Sequence, residues 1–141
     1  MTDIENLNFN EISLGYTKNF SVKITEEILD KFASISGDFN PLHMDAEYAQ
    51  TTQFHKRVCH GMLLASFFSR LIGMYIPGKP SLYFSQSLNF VAPCFIDDTL
   101  KIIGTVTKKT LATKMLTLKT EIFNQNDDSI VNGIAKVIVR N

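Results

Sequence analysis

Neither sign of charge is in excess: fourteen Lys and Arg face fourteen Asp and Glu. A polyanion is held by an excess basic field through counterion release, so the balance excludes general nucleic-acid binding and leaves only a local basic patch. Cysteine is scarce too. Cys59 and Cys94 have no metal-pair spacing, and a domain of this size needs no disulfide framework, so reduced thiols are expected. No apolar run reaches membrane length. The longest, around Met62 to Ile76, is interrupted by Ser66, Ser69, Arg70 and Gly73, short of the roughly 20 residues a span requires. Residues Met1 to Asn6 carry no basic region followed by an apolar stretch, so neither secretion nor organelle import is signalled. A soluble, cytoplasmic protein without a membrane partner is the expectation. The four Pro and seven Gly are scattered singly, and no linker, repeat or biased segment divides the chain. One domain over residues 1–141 follows.

What is present is apolar and aromatic: 45% hydrophobic residues, eleven of the 141 being Phe, a composition that builds a packed core. Phe20, Val22 and Ile24 alternate as in a strand. Thr25 then offers an N-cap ahead of Glu26 and Glu27, and Ile28, Phe32 and Ile35 recur at helical spacing up to a stop at Gly37. Residues 38–42 read as a turn limited by Pro41, and 45–50 as a short helix. From Gly61 to Met74 the apolar residues cover most of a helix's circumference, which predicts burial on nearly all sides. Beyond Pro77-Gly78-Lys79-Pro80 the period becomes two, with Leu82, Phe84, Leu88 and Phe90 on one side and Gln86 as the polar exception. Further strands are predicted over 100–108, 115–124 and 130–139, with Asn126-Asp127-Asp128-Ser129 as the last turn. The order is one strand, helices, then antiparallel strands. An α+β fold with the sheet wrapped around a central helix results.

The densest cluster of reactive side chains is Ser36-Gly37-Asp38-Phe39-Asn40-Pro41-Leu42-His43. Asp38 and His43 would diverge on a regular helix, but a Pro-containing turn can fold a carboxylate and an imidazole toward one shared water. A second cluster, Cys59-His60-Gly61-Met62, opens the apolar helix. A helix start presents unpaired N–H groups, and Gly61 permits close approach of a ligand, as an oxyanion site needs. His60 can cap, pack or act directly. His55 reads as a loop residue, and Cys59 as packing. Three scattered histidines without a supporting carboxylate pattern do not make a zinc site.

These motifs, Ser36 to His43, Arg57 to Ser66, Gln86 to Pro93 and Asp97-Asp98-Thr99, together resemble the MaoC-type, R-specific enoyl-CoA hydratases. The resemblance covers most of the chain from about Phe20. It implies a hot-dog fold, a curved antiparallel sheet around a long helix, and a homodimer with active sites at or near the interface. It further implies reversible addition of water to a trans-2-enoyl-CoA, giving the (R)-3-hydroxyacyl-CoA. Asp38 and His43 become the catalytic pair and the Gly61 N–H the oxyanion donor, with Asn40 shaping the loop and Ser69 on the active-site helix as substrate-binding residues. Bulky Ile72 beyond Ser69 is expected to close the pocket on short acyl chains. No metal or redox cofactor is implied; coenzyme A enters as part of the substrate, with Lys56, Arg57 and Lys79 as candidate phosphate contacts. Val58 and Cys59 depart from the family, where a proline and an aliphatic residue are common. Thioester hydrolysis and binding of an acyl thioester without turnover are the rival readings.

Overall fold

Strand β1 (Thr17–Lys23) delivers the chain to Thr25, whose hydroxyl accepts from the Ile28 N–H at 3.2 Å and starts helix α1 (Glu26–Ser36). Gly37 ends that helix at φ 79°, a left-handed conformation that glycine adopts without a Cβ penalty. The next residues do not remain a turn. Asn40 caps a one-turn helix, α2 (Pro41–Met44), and Asp45 caps a second, α3 (Ala46–Gln50). Pro41 favours this outcome because its fixed φ suits the first helical position. Helix α4 (Gly61–Arg70) continues into a π-helical turn, Leu71–Tyr75. The strands are β2 (Ser81–Gln86), β3 (Asn89–Phe90), β4 (Thr99–Thr110), β5 (Met115–Phe123) and β6 (Ser129–Val139). These positions come from a computed structural model that describes residues 3–141.

The sheet is antiparallel throughout, ordered β1-β4-β5-β6-β2, with β3 also pairing β6. Alternate residues of its three long strands point inward: Leu100, Ile102 and Val106, then Leu116, Leu118 and Ile122, then Val131, Ala135, Val137 and Val139. They enclose Leu63, Leu64, Phe68, Leu71 and Ile72 of the central helix. At Gly104 a Cβ would lie 2.8 Å from Leu71 Cδ2, so the sheet can press onto the helix there only without a side chain. A second part of the core lies below, where Phe9 and Ile12 from the N-terminal segment pack with Ile72, Ile76 and Val106. Among the described residues, no helix is long and apolar enough to cross a membrane.

Two expectations about the core need correction. The central helix is not enclosed all round: Met62, Ser66, Ser69 and Arg70 are exposed, leaving one side uncovered. Likewise Leu82, Phe84 and Phe90 face outward, 52%, 63% and 52% exposed. Period two does not persist there, because a register shift between Tyr83 and Ser85 and a break before Asn89 re-aim the side chains. Gln86, the polar exception, is satisfied instead: its Nε2–H donates to Thr120 Oγ1 at 3.0 Å, beneath the sheet.

Candidate active site

The segment between α1 and α2 is shaped by its own short polar side chains. The Asp38 carboxylate accepts from the Asn40 N–H at 3.1 Å, and the Asn40 side chain accepts from the Leu42 N–H at 3.0 Å. Such local bonds bend the backbone tightly, bringing His43 round on the first turn after Pro41. Its ring is then fixed from below. The His43 Nδ1–H donates to the Val58 carbonyl at 2.7 Å, so the neutral ring carries its lone pair on Nε2, the arrangement a general base requires.

Arg57 holds the carrier of that histidine. Its Nε–H donates to the His43 carbonyl at 2.6 Å, and its guanidinium reaches Glu26 at 2.9 Å and Asp30 at 3.4 Å, both on α1. Only 9% of Arg57 is exposed. The expectation of a phosphate contact therefore fails for Arg57, whose donors are already engaged with two carboxylates and a carbonyl. Lys56 sits over the Phe95 ring at 4.4 Å, and Lys79 remains exposed. Val58 has a use that proline could not supply, since its N–H donates to the Leu42 carbonyl at 3.2 Å.

His60 immediately precedes α4 and makes no capping bond with its side chain. The ring turns inward instead, 2% exposed, and stacks on His43 with centroids 4.2 Å apart and planes 28° apart. Its Nε2–H donates to the Asp38 carbonyl at 3.0 Å, while Nδ1 is buried without a partner among the described residues. Burial holds its pKa below the ordinary histidine value, with nearby His43 and Arg57 adding to the effect against the pull of the Asp38 carbonyl and carboxylate. An oxygen of Asp38 and a ring nitrogen of each histidine lie within 4.8 Å of one another. One water at hydrogen-bonding distance of about 2.8 Å from two such atoms spans that gap.

Beside His43 opens a cavity of about 510 Å³, lined among others by Gly61, Met62, Leu64, Phe90, Val91 and Val131. The free N-terminal end of α4 meets it at Gly61. A Cβ on Gly61 would come within 2.9 Å of two Phe90 ring carbons, so glycine at this position lets the Phe90 ring, another wall of the cavity, pack against the helix start. The cavity is walled mainly by apolar groups with few polar ones, the pattern of a small-molecule pocket. His43 and Gly61 thus share this cavity, while Asp38 approaches His43 from outside its lining and Asn40 shapes the loop between Asp38 and His43. Ser69 lies two helical turns further on, exposed on the open side of α4, and Ile72 is buried with Val106, Leu116 and Val137. Neither lines the cavity beside His43. The residues that sequence reasoning did not find are Arg57 as the clamp on α2, and Phe90 and Val91 as pocket walls.

An antiparallel sheet curved over one central helix, with an imidazole and a helix N-terminus at one pocket and a carboxylate beside that imidazole, defines a hot-dog-fold protein built for acid–base work on a small acyl compound. The chain belongs to the MaoC-like family: the family's domain model matches residues 10–126. It is 40% identical over 126 residues to an (R)-specific enoyl-CoA hydratase of Aeromonas caviae, covering 89% of this chain and 94% of that one. A second (R)-specific enoyl-CoA hydratase, from Rhodospirillum rubrum, is 40% identical over 112 residues, 79% of this chain and 78% of its own length. Among solved structures, the unliganded R-hydratase of Pseudomonas aeruginosa superposes with a TM-score of 0.94 at 35% identity, over 98% of this chain and 88% of its own.

Proposed function

We propose that the protein is a hydro-lyase that reversibly hydrates trans-2-enoyl-CoA to (R)-3-hydroxyacyl-CoA. The observation that carries this reading is the gathering of the Asp38 carboxylate and the two imidazoles within 4.8 Å, beside a helix start at Gly61. Hydration needs both parts. Attack of water on the β-carbon moves charge onto the thioester oxygen, where the Gly61 N–H and the positive end of α4 stabilise the enolate. Asp38 and the His43 Nε2 hold the water between them, take one of its protons and return a proton to the α-carbon, so that one water is added in all. Addition to one face of the alkene follows from holding that water on one side only. The chemistry needs no metal and no redox cofactor, and coenzyme A is the substrate's carrier.

Support comes also from the relatives, named hydratases and matched over 94% and 78% of their lengths. In this reading Asn40 and Ser69 contact the substrate or shape its site, Ile72 limits the acyl chain, and the open side of α4 is completed by a second copy. A cytoplasmic enzyme is part of the same proposal, with cell fractionation as its check. The test is to supply trans-2-butenoyl-CoA and follow loss of the conjugated enoyl absorbance together with release of free thiol. Loss of absorbance without thiol, giving the (R)-alcohol, is expected. Thiol release at the same rate means hydrolysis, and binding with neither signal means a silent acyl-thioester binder.

A further inference from the structure

We infer that His60 is a positioning residue for the acid–base pair: it ties the Asp38 backbone to the start of α4 and keeps the His43 ring in the orientation that leaves Nε2 free. The inference rests on the hydration reading and deepens it. Residue 60 occupies a helix N-cap, where Ser, Thr, Asp or Asn would bond the free N–H groups, yet its ring makes no such bond. It lies instead between Phe32, at 5.0 Å, and His43, at 4.2 Å. Packing alone gives no reason for a histidine, since an aliphatic side chain would fill the space without leaving a buried nitrogen, Nδ1, unpaired. What only a polar ring supplies is the Nε2–H bond to the Asp38 carbonyl at 3.0 Å.

That bond joins two parts of the site that are otherwise far apart in sequence, the loop carrying Asp38 and the helix start carrying the Gly61 N–H. The ring face, stacked on His43, meanwhile limits rotation of the ring that the Val58 carbonyl anchors at Nδ1. Neutrality of His60 is essential to both tasks, because a second imidazolium stacked on His43 would repel the proton that His43 takes up. The charged and titratable groups around it are Asp38, His43 and Arg57, and Arg57 is paired in turn with Glu26 and Asp30 of α1. Phe32, the remaining neighbour on α1, is uncharged.

The experiment compares His60→Leu with His60→Gln, whose amide N–H reaches about as far as the imidazole Nε2–H. With trans-2-butenoyl-CoA, His60→Leu is expected to lose roughly 10- to 100-fold in kcat, in line with small misplacements of catalytic groups, while KM stays nearly constant. His60→Gln should recover most of that loss. Ring-nitrogen NMR should find His43 in the Nδ1–H tautomer in the wild type and His60→Gln, and in a mixture in His60→Leu. A folded His60→Leu with wild-type kcat and an unchanged His43 tautomer overturns the inference, as does a Gln variant no better than Leu. If His60→Leu does not fold, His60→Asn replaces it, its shorter amide being unable to reach the Asp38 carbonyl. Should the wild type fail to hydrate the substrate, the functional reading fails, while the His43 tautomer in the variants still decides the role of His60.

Discussion

At the residue scale the site divides into groups that meet the reacting water and groups that hold them. Asp38 and His43 belong to the first kind, and Asp38→Asn and His43→Asn are each expected to lower hydration turnover at least about a hundredfold with an unchanged melting curve. The double variant should lose little more than either single one, because the pair acts as a unit; near-normal turnover in either single variant would refute a shared water. Arg57 belongs to the second kind. Removing its side chain in Arg57→Ala takes away a bond to the His43 carbonyl and two to α1 carboxylates. Hydrogen bonds to charged groups are worth about 1.5–3 kcal/mol, but Glu26 and Asp30 are themselves 69% and 56% exposed, so the two ion pairs add little. A stability loss of about 2 kcal/mol by urea denaturation is expected, with kcat falling more than KM rises. The pair Asp38 and His43 was legible in the sequence because they lie five positions apart with a proline between them. The partners of His60 and Arg57 were not, since they lie 14 to 31 positions away and are joined only by the fold.

At the scale of elements, helix α4 serves the core along one side and the site at its start. Its boundaries were readable from Gly61 and the apolar run, as was α1 from Thr25 and Gly37. The pairing partners of β2 and its bulge were not, because period two reports a strand without reporting which face is covered. Gly61→Ala separates the two duties of α4. Alanine favours a helix by up to about 1 kcal/mol over glycine, and Phe90, whose ring the new Cβ would meet at 2.9 Å, is 52% exposed and free to shift. The fold should therefore survive with a melting temperature within a few degrees, while turnover falls, by up to roughly 10²-fold, as the displaced Phe90 ring disturbs the cavity beside the residue 61 N–H. Wild-type turnover in a folded Gly61→Ala would show that the site needs only that N–H, which alanine keeps, and not the space glycine leaves. Ile72 tests the other end. Ile72→Ala in the lower core is expected to cost about 2–5 kcal/mol of stability; if an acyl chain runs down the open side past Ser69, it should also raise kcat/KM for eight-carbon over four-carbon substrate by about tenfold, room for two more carbons being worth roughly 0.8 kcal/mol each. An unchanged ratio in the folded variant assigns Ile72 to the core alone and leaves Leu64, Phe90 and Val131 as the limit on chain length.

At the scale of the whole molecule the sheet is unfinished. Strand β2 ends the order β1-β4-β5-β6-β2 with an outer edge unpaired among the described residues, and edges of this kind invite another chain. Leu82 and Phe84 stand out from that strand, and Phe90 and Val91 follow it and line the cavity with Met62, all five between 52% and 63% exposed. So many exposed apolar side chains are the mark of a surface that another chain covers. Covering these five side chains in a second copy contributes on the order of 1 kcal/mol each, taking about half of full burial, and would also close the open side of α4 where Ser69 lies. Light scattering at micromolar concentration is therefore expected to give twice the 15.9 kDa of one chain. Phe84→Glu, which places a charge on the uncovered strand far from Asp38 and His43 in sequence, should shift the mass toward one chain and lower turnover in step with dissociation, recovering as protein concentration is raised. A wild-type monomer with full activity at that concentration means that a single chain completes its own site, and that the apolar rim serves the acyl chain alone.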